Sequence, residues 1–204
     1  MPPMMTRALE RAKPAAALML GWVALLWVLE MADAASGNAL DTFGVRPREM
    51  SELADVLPAA FIHFGFDHLA ANTLPLLLLG FLAALRSGLA RFVGVALLIA
   101  LTSGLGVWLT APAGSNTAGA SGVVFGLFGY LLIRGFIDHK PLDIALGALV
   151  AVVYGSILWG ALPSDNGVSW QGHLFGLVGG VLAAFVFRQR AAEAPPGGTA
   201  RPIP

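Results

Sequence analysis

Charged residues are scarce and cysteine is absent in this sequence of 204 residues. Only 12% of the residues are charged, whereas 57% are hydrophobic, and the mean hydropathy is +0.76. In a soluble domain roughly a quarter of the residues are charged, so the composition indicates a membrane protein. The absence of cysteine excludes disulfides, thiolate metal sites and cysteine catalysis. Basic and acidic residues balance at twelve each, which leaves no basic surplus for binding nucleic acid.

Long apolar runs dominate the chain instead. A helix that crosses a membrane needs about 20 mostly apolar residues, and the sequence contains six candidates. The predicted spans are residues 14–33, 66–85, 91–110, 121–137, 142–161 and 172–188. We therefore predict an all-α polytopic membrane protein with six transmembrane helices. This domain, 14–190, would lie between a cytoplasmic N-terminal tail, 1–13, and a Pro- and Gly-rich cytoplasmic tail, 191–204, that is predicted to be disordered.

The first span and the segment that follows it have less simple patterns. Basic residues before the apolar run and the tripeptide Ala-Asp-Ala at 32–34 also fit a secretory signal peptide. The run is longer than the apolar part of a usual signal peptide, which favours a retained helix. Residues 36–61 are too polar to span a membrane and too apolar for a free linker, so part of this segment is expected at the membrane interface.

The placement of Lys and Arg predicts the orientation. With a cytoplasmic N-terminus, ten of the twelve basic residues fall on the cytoplasmic side, whereas Arg46 and Arg48 fall outside. Cytoplasmic loops of membrane proteins carry the excess of Lys and Arg. Both termini are therefore expected in the cytoplasm.

Three polar side chains stand out at one depth in the second, fourth and sixth spans: Asn72, Ser121 and His173. These spans run in the same direction, and each ends with an arginine that is expected to reach the inner interface: Arg86, Arg134 and Arg188. The polar residues precede their arginines by 14, 13 and 15 residues, or about 20–22 Å of helix. They are therefore predicted to share one level, and the short fourth span is expected to follow a loop, residues 111–120, that dips into a watery cavity.

Glycines indicate how these residues could meet. They recur every fourth residue in two spans: Gly122 and Gly126 in the fourth, Gly172, Gly176 and Gly180 in the sixth. This spacing lets helix backbones approach closely, which would bring the His173 imidazole to the Ser121 hydroxyl. A serine becomes a good nucleophile only when such a base takes its proton. His68 and Asn72 share one helical face and, with the Ser121 N–H, could stabilise an oxyanion.

Each of these features has a structural interpretation as well. Ser121 could be a helix cap, and glycine ladders are ordinary membrane packing. Three histidines, His63, His68 and His173, could bind a metal, but no acidic ligand or HExxH pattern accompanies them, so no metal is expected. An aspartyl mechanism is disfavoured because the carboxylates of the spans lie near helix ends. The combination of Asn72, Ser121 and His173 at one depth favours a serine hydrolase.

Three ordered blocks of sequence resemble the rhomboid family of intramembrane serine proteases. The blocks are "HFGFDHLAAN" (63–72), "GASGVVFGLFGYLLIRG" (119–135) and "GHLFGLVGG" (172–180), and the similarity runs from Pro58 to Phe187. The resemblance implies a six-helix bundle of the bacterial type, in the inner membrane, with its active site embedded in the membrane and open to the outer side.

The resemblance also implies roles for individual residues. Ser121 would be the nucleophile, and His173 the general base and then the general acid, without an acidic third member. His68, Asn72 and the Ser121 N–H would form the oxyanion hole. Such a serine endopeptidase cuts transmembrane proteins within or beside their spans through an acyl-enzyme, without a cofactor or metal. Glycines would pack the helices at the site: Gly119, Gly122, Gly126, Gly172 and Gly176.

The sequence departs from the family pattern in three places. Phe125 stands where many bacterial members have tyrosine, and it keeps the ability to stack on the histidine ring. The Trp-Arg pair of the first loop is missing from "GVRPREM", and the usual glutamate after the second helix is replaced within "GFLAALRSG". The phenylalanine lacks the tyrosine hydroxyl, which would affect only the tuning of the site, and the other two departures concern loop anchoring rather than chemistry. A non-catalytic rhomboid-like protein that escorts membrane clients is the alternative, whereas no internal repeat supports a transporter.

Overall fold

The computed structural model describes the backbone of residues 3–164 and 167–188, and side chains from residue 10 onward. Within these residues, six α-helices occur in chain order: α1 Pro3–Ala35, α2 Phe66–Ser87, α3 Leu89–Thr110, α4 Ser121–Ile137, α5 Pro141–Tyr154 and α6 Trp170–Val186. A 3₁₀ helix, Gly155–Ala161, continues α5. The predicted all-α fold is confirmed. Helix α1 includes residues 3–13, which were assigned to a tail, and the predicted disordered tail lies outside the described residues.

Four of these segments are long and apolar enough to cross a membrane: Glu10–Ala35, Phe66–Ser87, Leu89–Thr110 and Pro141–Ala161. The other two, α4 and α6, have 17 residues each and are also apolar. Helix α4 lies at the centre, because α2, α3, α5 and α6 all pack against it. Large apolar side chains such as Leu97, Leu101 and Val152 are exposed on the outer helices. The chain is thus an integral membrane protein whose outer helices present apolar side chains to lipid.

The segment between α1 and α2 is folded onto the bundle. It contains three 3₁₀ helices, Ala39–Phe43, Met50–Val56 and Pro58–Phe61. Arg48 Nη1 donates hydrogen bonds to the carbonyls of Leu109 and Ala111 at the end of α3, at 3.2 and 2.9 Å. Val45 forms an isolated antiparallel bridge with Thr117. These contacts anchor the loop without the Trp-Arg pair that the sequence lacks.

The α4–α6 contact depends on facing glycines. A Cβ atom added to Gly176 would overlap the carbonyl oxygen of Gly122, and one added to Gly180 would overlap that of Gly126. A Cβ on Gly126 would lie 2.8 Å from the Gly176 carbonyl oxygen. The two backbones therefore touch directly, and this approach brings the first turns of α4 and α6 together.

A buried ionic cluster lies at the C-terminal end of α4. The Arg134 guanidinium is within 3.2 Å of Asp138 Oδ2 and 3.8 Å of Asp143 Oδ2, and Arg86 Nε is 2.5 Å from Asp143 Oδ1. Arg134 is 1% exposed and also lies over the Tyr130 ring, 5.4 Å from its centroid. These carboxylates enclose Arg134 within the bundle, and its level at the inner interface stays a prediction.

Candidate active site

The backbone that carries Ser121 is held tightly from one side. Ser121 is the first residue of α4, and the preceding Gly119 has a φ of +131°, which a residue with a Cβ rarely adopts. The Gly119 N–H donates to the Ala59 carbonyl at 2.9 Å, and the Ala120 N–H donates to His63 Nε2 at 3.2 Å. The loop predicted to dip therefore ends against the segment that precedes α2.

Ser121 and His173 are hydrogen-bonded. The distance from Ser121 Oγ to His173 Nε2 is 2.9 Å, and His173 is 5% exposed. The other ring nitrogen, Nδ1, lies 2.8 Å from the Gly160 carbonyl oxygen. Because a carbonyl can only accept, Nδ1 carries the proton of the neutral ring, and Nε2 accepts the Ser121 hydroxyl proton. This tautomer is the one that a general base requires.

The group that orients the histidine is a backbone carbonyl, which the sequence interpretation did not identify. Gly160 belongs to the 3₁₀ helix that continues α5. A Cβ on Gly160 would lie 3.2 Å from His173 Nδ1 and 3.0 Å from Phe125 Cζ, closer than most real Cβ contacts. Glycine therefore fits this position sterically. No motif marks a carbonyl, so only the fold could reveal this partner.

Phe125 covers one face of the histidine ring. The two ring centroids are 4.0 Å apart, and the planes differ by 8°. Phe125 is itself buried, one turn along α4 from Ser121. An offset or parallel aromatic contact of this kind restricts the imidazole to one orientation. The stacking that the sequence allowed for phenylalanine is therefore present.

The two residues expected in the oxyanion hole differ in placement. His68 lies beside the loop, because a Cβ on Gly119 would be 2.7 Å from its Cε1 atom and 2.9 Å from its Nε2 atom. Asn72 is 6% exposed, and its side-chain amide donates to the backbone carbonyl of His68 at 3.0 Å. His68 is thus next to the Ser121 loop, whereas the Asn72 amide is directed at its own helix.

The first turn of α6 is fixed by two serine hydroxyls. Ser169 caps the helix by accepting from the Gly172 N–H at 3.2 Å. Ser103, on α3, donates to the Gly172 carbonyl at 2.8 Å and is buried. A Cβ on Gly122 would overlap this Ser103 hydroxyl. The absence of side chains at Gly122 and Gly172 thus lets α3, α4 and α6 meet beside His173.

A cavity of about 740 Å³ opens beside the serine. Its walls include His68, Gly119, Ser121, Gln171 and Gly172. This volume lies within the range of sites that bind small molecules, about 300–1,000 Å³. The Ser121 side chain is therefore accessible to a bound segment, while its histidine partner is shielded within the bundle.

Comparison with known proteins gives a consistent family assignment. The Rhomboid domain family model matches residues 50–190. An uncharacterized protein of Mycobacterium tuberculosis strain H37Rv is 46% identical over 175 residues, which cover 82% of this chain and 72% of that protein. The match to the family model alone spans more than half of the chain.

Several relatives have names that state an activity, and two of them serve as examples. The rhomboid protease GluP of Bacillus subtilis is 30% identical over 150 residues, covering 72% of this chain and 29% of that protein. The rhomboid protease GlpG of Salmonella newport is 30% identical over 137 residues, covering 62% of this chain and 45% of that protein. Both relatives extend well beyond the part that matches this chain.

Proposed function

The chain belongs to the rhomboid family, and from this premise we propose that it is an intramembrane serine endopeptidase with a Ser121–His173 catalytic dyad. The observation that carries the proposal is the 2.9 Å hydrogen bond from Ser121 Oγ to His173 Nε2. The Gly160 carbonyl on Nδ1 supports it, because this bond leaves Nε2 free of a proton.

The first half of the reaction forms the acyl-enzyme. Ser121 Oγ attacks the carbonyl carbon of the scissile peptide bond, and its proton moves to His173 Nε2. The C–N bond of the tetrahedral intermediate then breaks as His173 returns that proton to the leaving amine. The Gly160 carbonyl accepts from Nδ1–H throughout, and it stabilises the imidazolium without a carboxylate.

The second half hydrolyses the ester. A water molecule loses a proton to His173 Nε2 and attacks the acyl carbon, and the ester C–O bond breaks as Ser121 Oγ regains a proton. This step requires water at Ser121, which the adjoining cavity can supply. The enzyme is restored with no net proton change.

Negative charge on the former carbonyl oxygen needs donors near the start of α4. The Ser121 N–H is suited to this role, because the first N–H groups of an α-helix have no acceptor within it. His68 lies on the same side, against Gly119. Asn72 would join them only after its amide leaves the His68 carbonyl. We assign the oxyanion hole to Ser121 and His68, with Asn72 as a donor that is recruited in the transition state.

The substrates in this proposal are proteins with transmembrane segments. A peptide bond within a helix hides its carbonyl behind hydrogen bonds and side chains, so the cut segment would unwind to enter the cavity in extended form. The balance of basic residues supports cytoplasmic termini in a bacterial inner membrane. Ser121 would then face the outer half of that membrane.

A serine-directed fluorophosphonate tests the proposal on detergent-solubilised protein. We expect wild type to be labelled, with the adduct mapped to Ser121 by mass spectrometry, and Ser121→Ala to remain unlabelled. Ser51→Ala is the matched control, since Ser51 is exposed and does not line the cavity, and it should label like wild type. Labelling that persists in Ser121→Ala would refute the dyad.

A further inference from the structure

His63 is a buried histidine that the proposed reaction does not use. It lies between the 3₁₀ helix Pro58–Phe61 and α2, and it is 1% exposed. Its ring meets the His68 ring edge to face, with centroids 5.1 Å apart and planes at 68°. The sequence alone suggests a metal-binding role for His63, which is disfavoured because no acidic ligand accompanies the histidines. Its position behind the Ser121 loop suggests a different task.

The hydrogen bond that His63 accepts is directed at the active-site loop. Its Nε2 atom receives the N–H of Ala120, the residue immediately before Ser121, at 3.2 Å. The preceding N–H, of Gly119, is bound by the Ala59 carbonyl. Two successive amides are thus turned toward the segment 59–63. Ala120 is fully buried, so no water replaces this acceptor without rearrangement.

The protonation of His63 fits this acceptor role. Since Nε2 accepts, the neutral ring carries its proton on Nδ1. Burial lowers the pKa of His63 to about 4, with a smaller contribution from neighbouring His68, the titratable side chain that faces it from α2. His63 is therefore neutral at physiological pH, and its acceptor nitrogen remains available to Ala120.

We propose that His63 is a positioning residue that fixes the Gly119–Ala120 backbone so that the Ser121 N–H points at the developing oxyanion. This inference rests on the proposed protease function. The bond to Ala120 sets the orientation of the peptide that leads into Ser121. An oxyanion donor acts only within a narrow range of position, because its benefit depends on preorganised geometry. His63 touches neither substrate nor the dyad and acts through this backbone.

Two substitutions separate positioning from simple space filling. In His63→Gln the side-chain oxygen can replace Nε2 as the acceptor, whereas His63→Leu fills the space without one. We expect His63→Leu to lower kcat about 100-fold, the effect of weakening one oxyanion donor, with KM little changed. His63→Gln should recover most of kcat. Equal losses in both variants, a normal kcat in His63→Leu, or a rise in KM alone would overturn the proposal.

A second measurement does not depend on catalysis. Hydrogen–deuterium exchange of the peptide that contains Ala120 should be about fivefold faster in His63→Leu, as expected for one lost hydrogen bond, and close to wild type in His63→Gln. Unchanged exchange in His63→Leu would contradict the positioning role even if wild type proved inactive. Failure of the protease proposal would instead appear as cleavage or labelling that ignores Ser121→Ala.

Discussion

The two ends of α4 carry polar groups of opposite kinds. At its start, Ser121 and His173 are joined by hydrogen bonds between neutral groups, and the Gly160 backbone carbonyl completes the chain. At its end, Arg134 is enclosed with Asp138 and Asp143. A proton can pass from Ser121 Oγ to His173 Nε2 in the first arrangement, because the Gly160 carbonyl keeps the proton of the neutral ring on Nδ1. The second arrangement holds fixed charges, and its contacts join α2, α4 and α5.

The difference indicates a division of labour along a single helix. Facing glycines bring α6 onto the first half of α4, and the Ser121–His173 hydrogen bond joins the two helices there. Charge pairs secure the far end, where removal of Arg134 would leave buried carboxylates with less compensating charge. Substitutions at the start of α4 should therefore lower catalysis at nearly constant stability. Substitutions at its end should lower stability and leave catalysis by the folded protein nearly constant.

The largest effect on activity is expected from His173→Asn. This variant removes the base while it retains a polar side chain, and cleavage should fall about 10⁴-fold or more. The thermal unfolding midpoint should stay near that of wild type. Steady-state cleavage and thermal unfolding of the same preparation measure both quantities. A large drop in the midpoint would mean that the start of α4 also stabilises the fold. The two ends of the helix would then not differ in their roles.

The largest effect on stability is expected from Arg134→Leu. Removing the guanidinium takes one positive charge from two buried carboxylates and should lower the free energy of unfolding by about 3–5 kcal/mol, while kcat of the folded fraction stays close to wild type. Arg46→Leu is the matched control, since the Arg46–Glu52 pair is partly exposed and should contribute less than about 1 kcal/mol. Unfolding in detergent measures both variants. Equal losses of unfolding free energy in Arg134→Leu and Arg46→Leu would contradict the larger contribution expected from the buried cluster.

The fold was predictable wherever residue spacing determined contact. Ser121 and His173 meet because glycines recur every fourth residue on α4 and α6, a pattern that can be read from sequence. Gly160 was not predictable, since its contribution is a backbone carbonyl placed by the 3₁₀ extension of α5. Arg134 was assigned to the interface because charge alone favours water. Its partner Asp138 follows four residues later, a helical spacing that the sequence shows, whereas Asp143 becomes apparent only when α4 and α5 are packed.

Acidification should lower the free energy of unfolding through His63, which accepts the Ala120 N–H just before the start of α4. Its pKa is about 4 in the folded protein and near 6.5 in the unfolded chain. Between these values the unfolded state binds more protons, so stability falls as pH decreases from 6.5 to 4, by up to about 3 kcal/mol. The His63→Gln variant should lack this contribution. Denaturation at a series of pH values compares the two proteins, and parallel curves would contradict a neutral, buried His63.

The smallest effect is expected at Phe125. Phe125→Leu removes the ring that stacks on His173, and an aromatic pair contributes about 0.5–1.5 kcal/mol. We expect kcat/KM to fall about 2- to 10-fold, whereas Phe125→Tyr, which keeps the ring, should be nearly unchanged. Kinetics on one cleavable substrate measure both. A loss as large as that of His173→Asn would assign Phe125 a direct role in the chemistry.

Cleavage of single-span membrane proteins in proteoliposomes tests the central claim most directly. A panel of such proteins would be incubated with wild type, Ser121→Ala and the exposed-serine control Ser51→Ala, and the cut sites mapped by mass spectrometry. The Ser121–His173 dyad predicts cuts within or beside the spans by wild type and Ser51→Ala, and none by Ser121→Ala. Cuts at the same bonds by Ser121→Ala would contradict it.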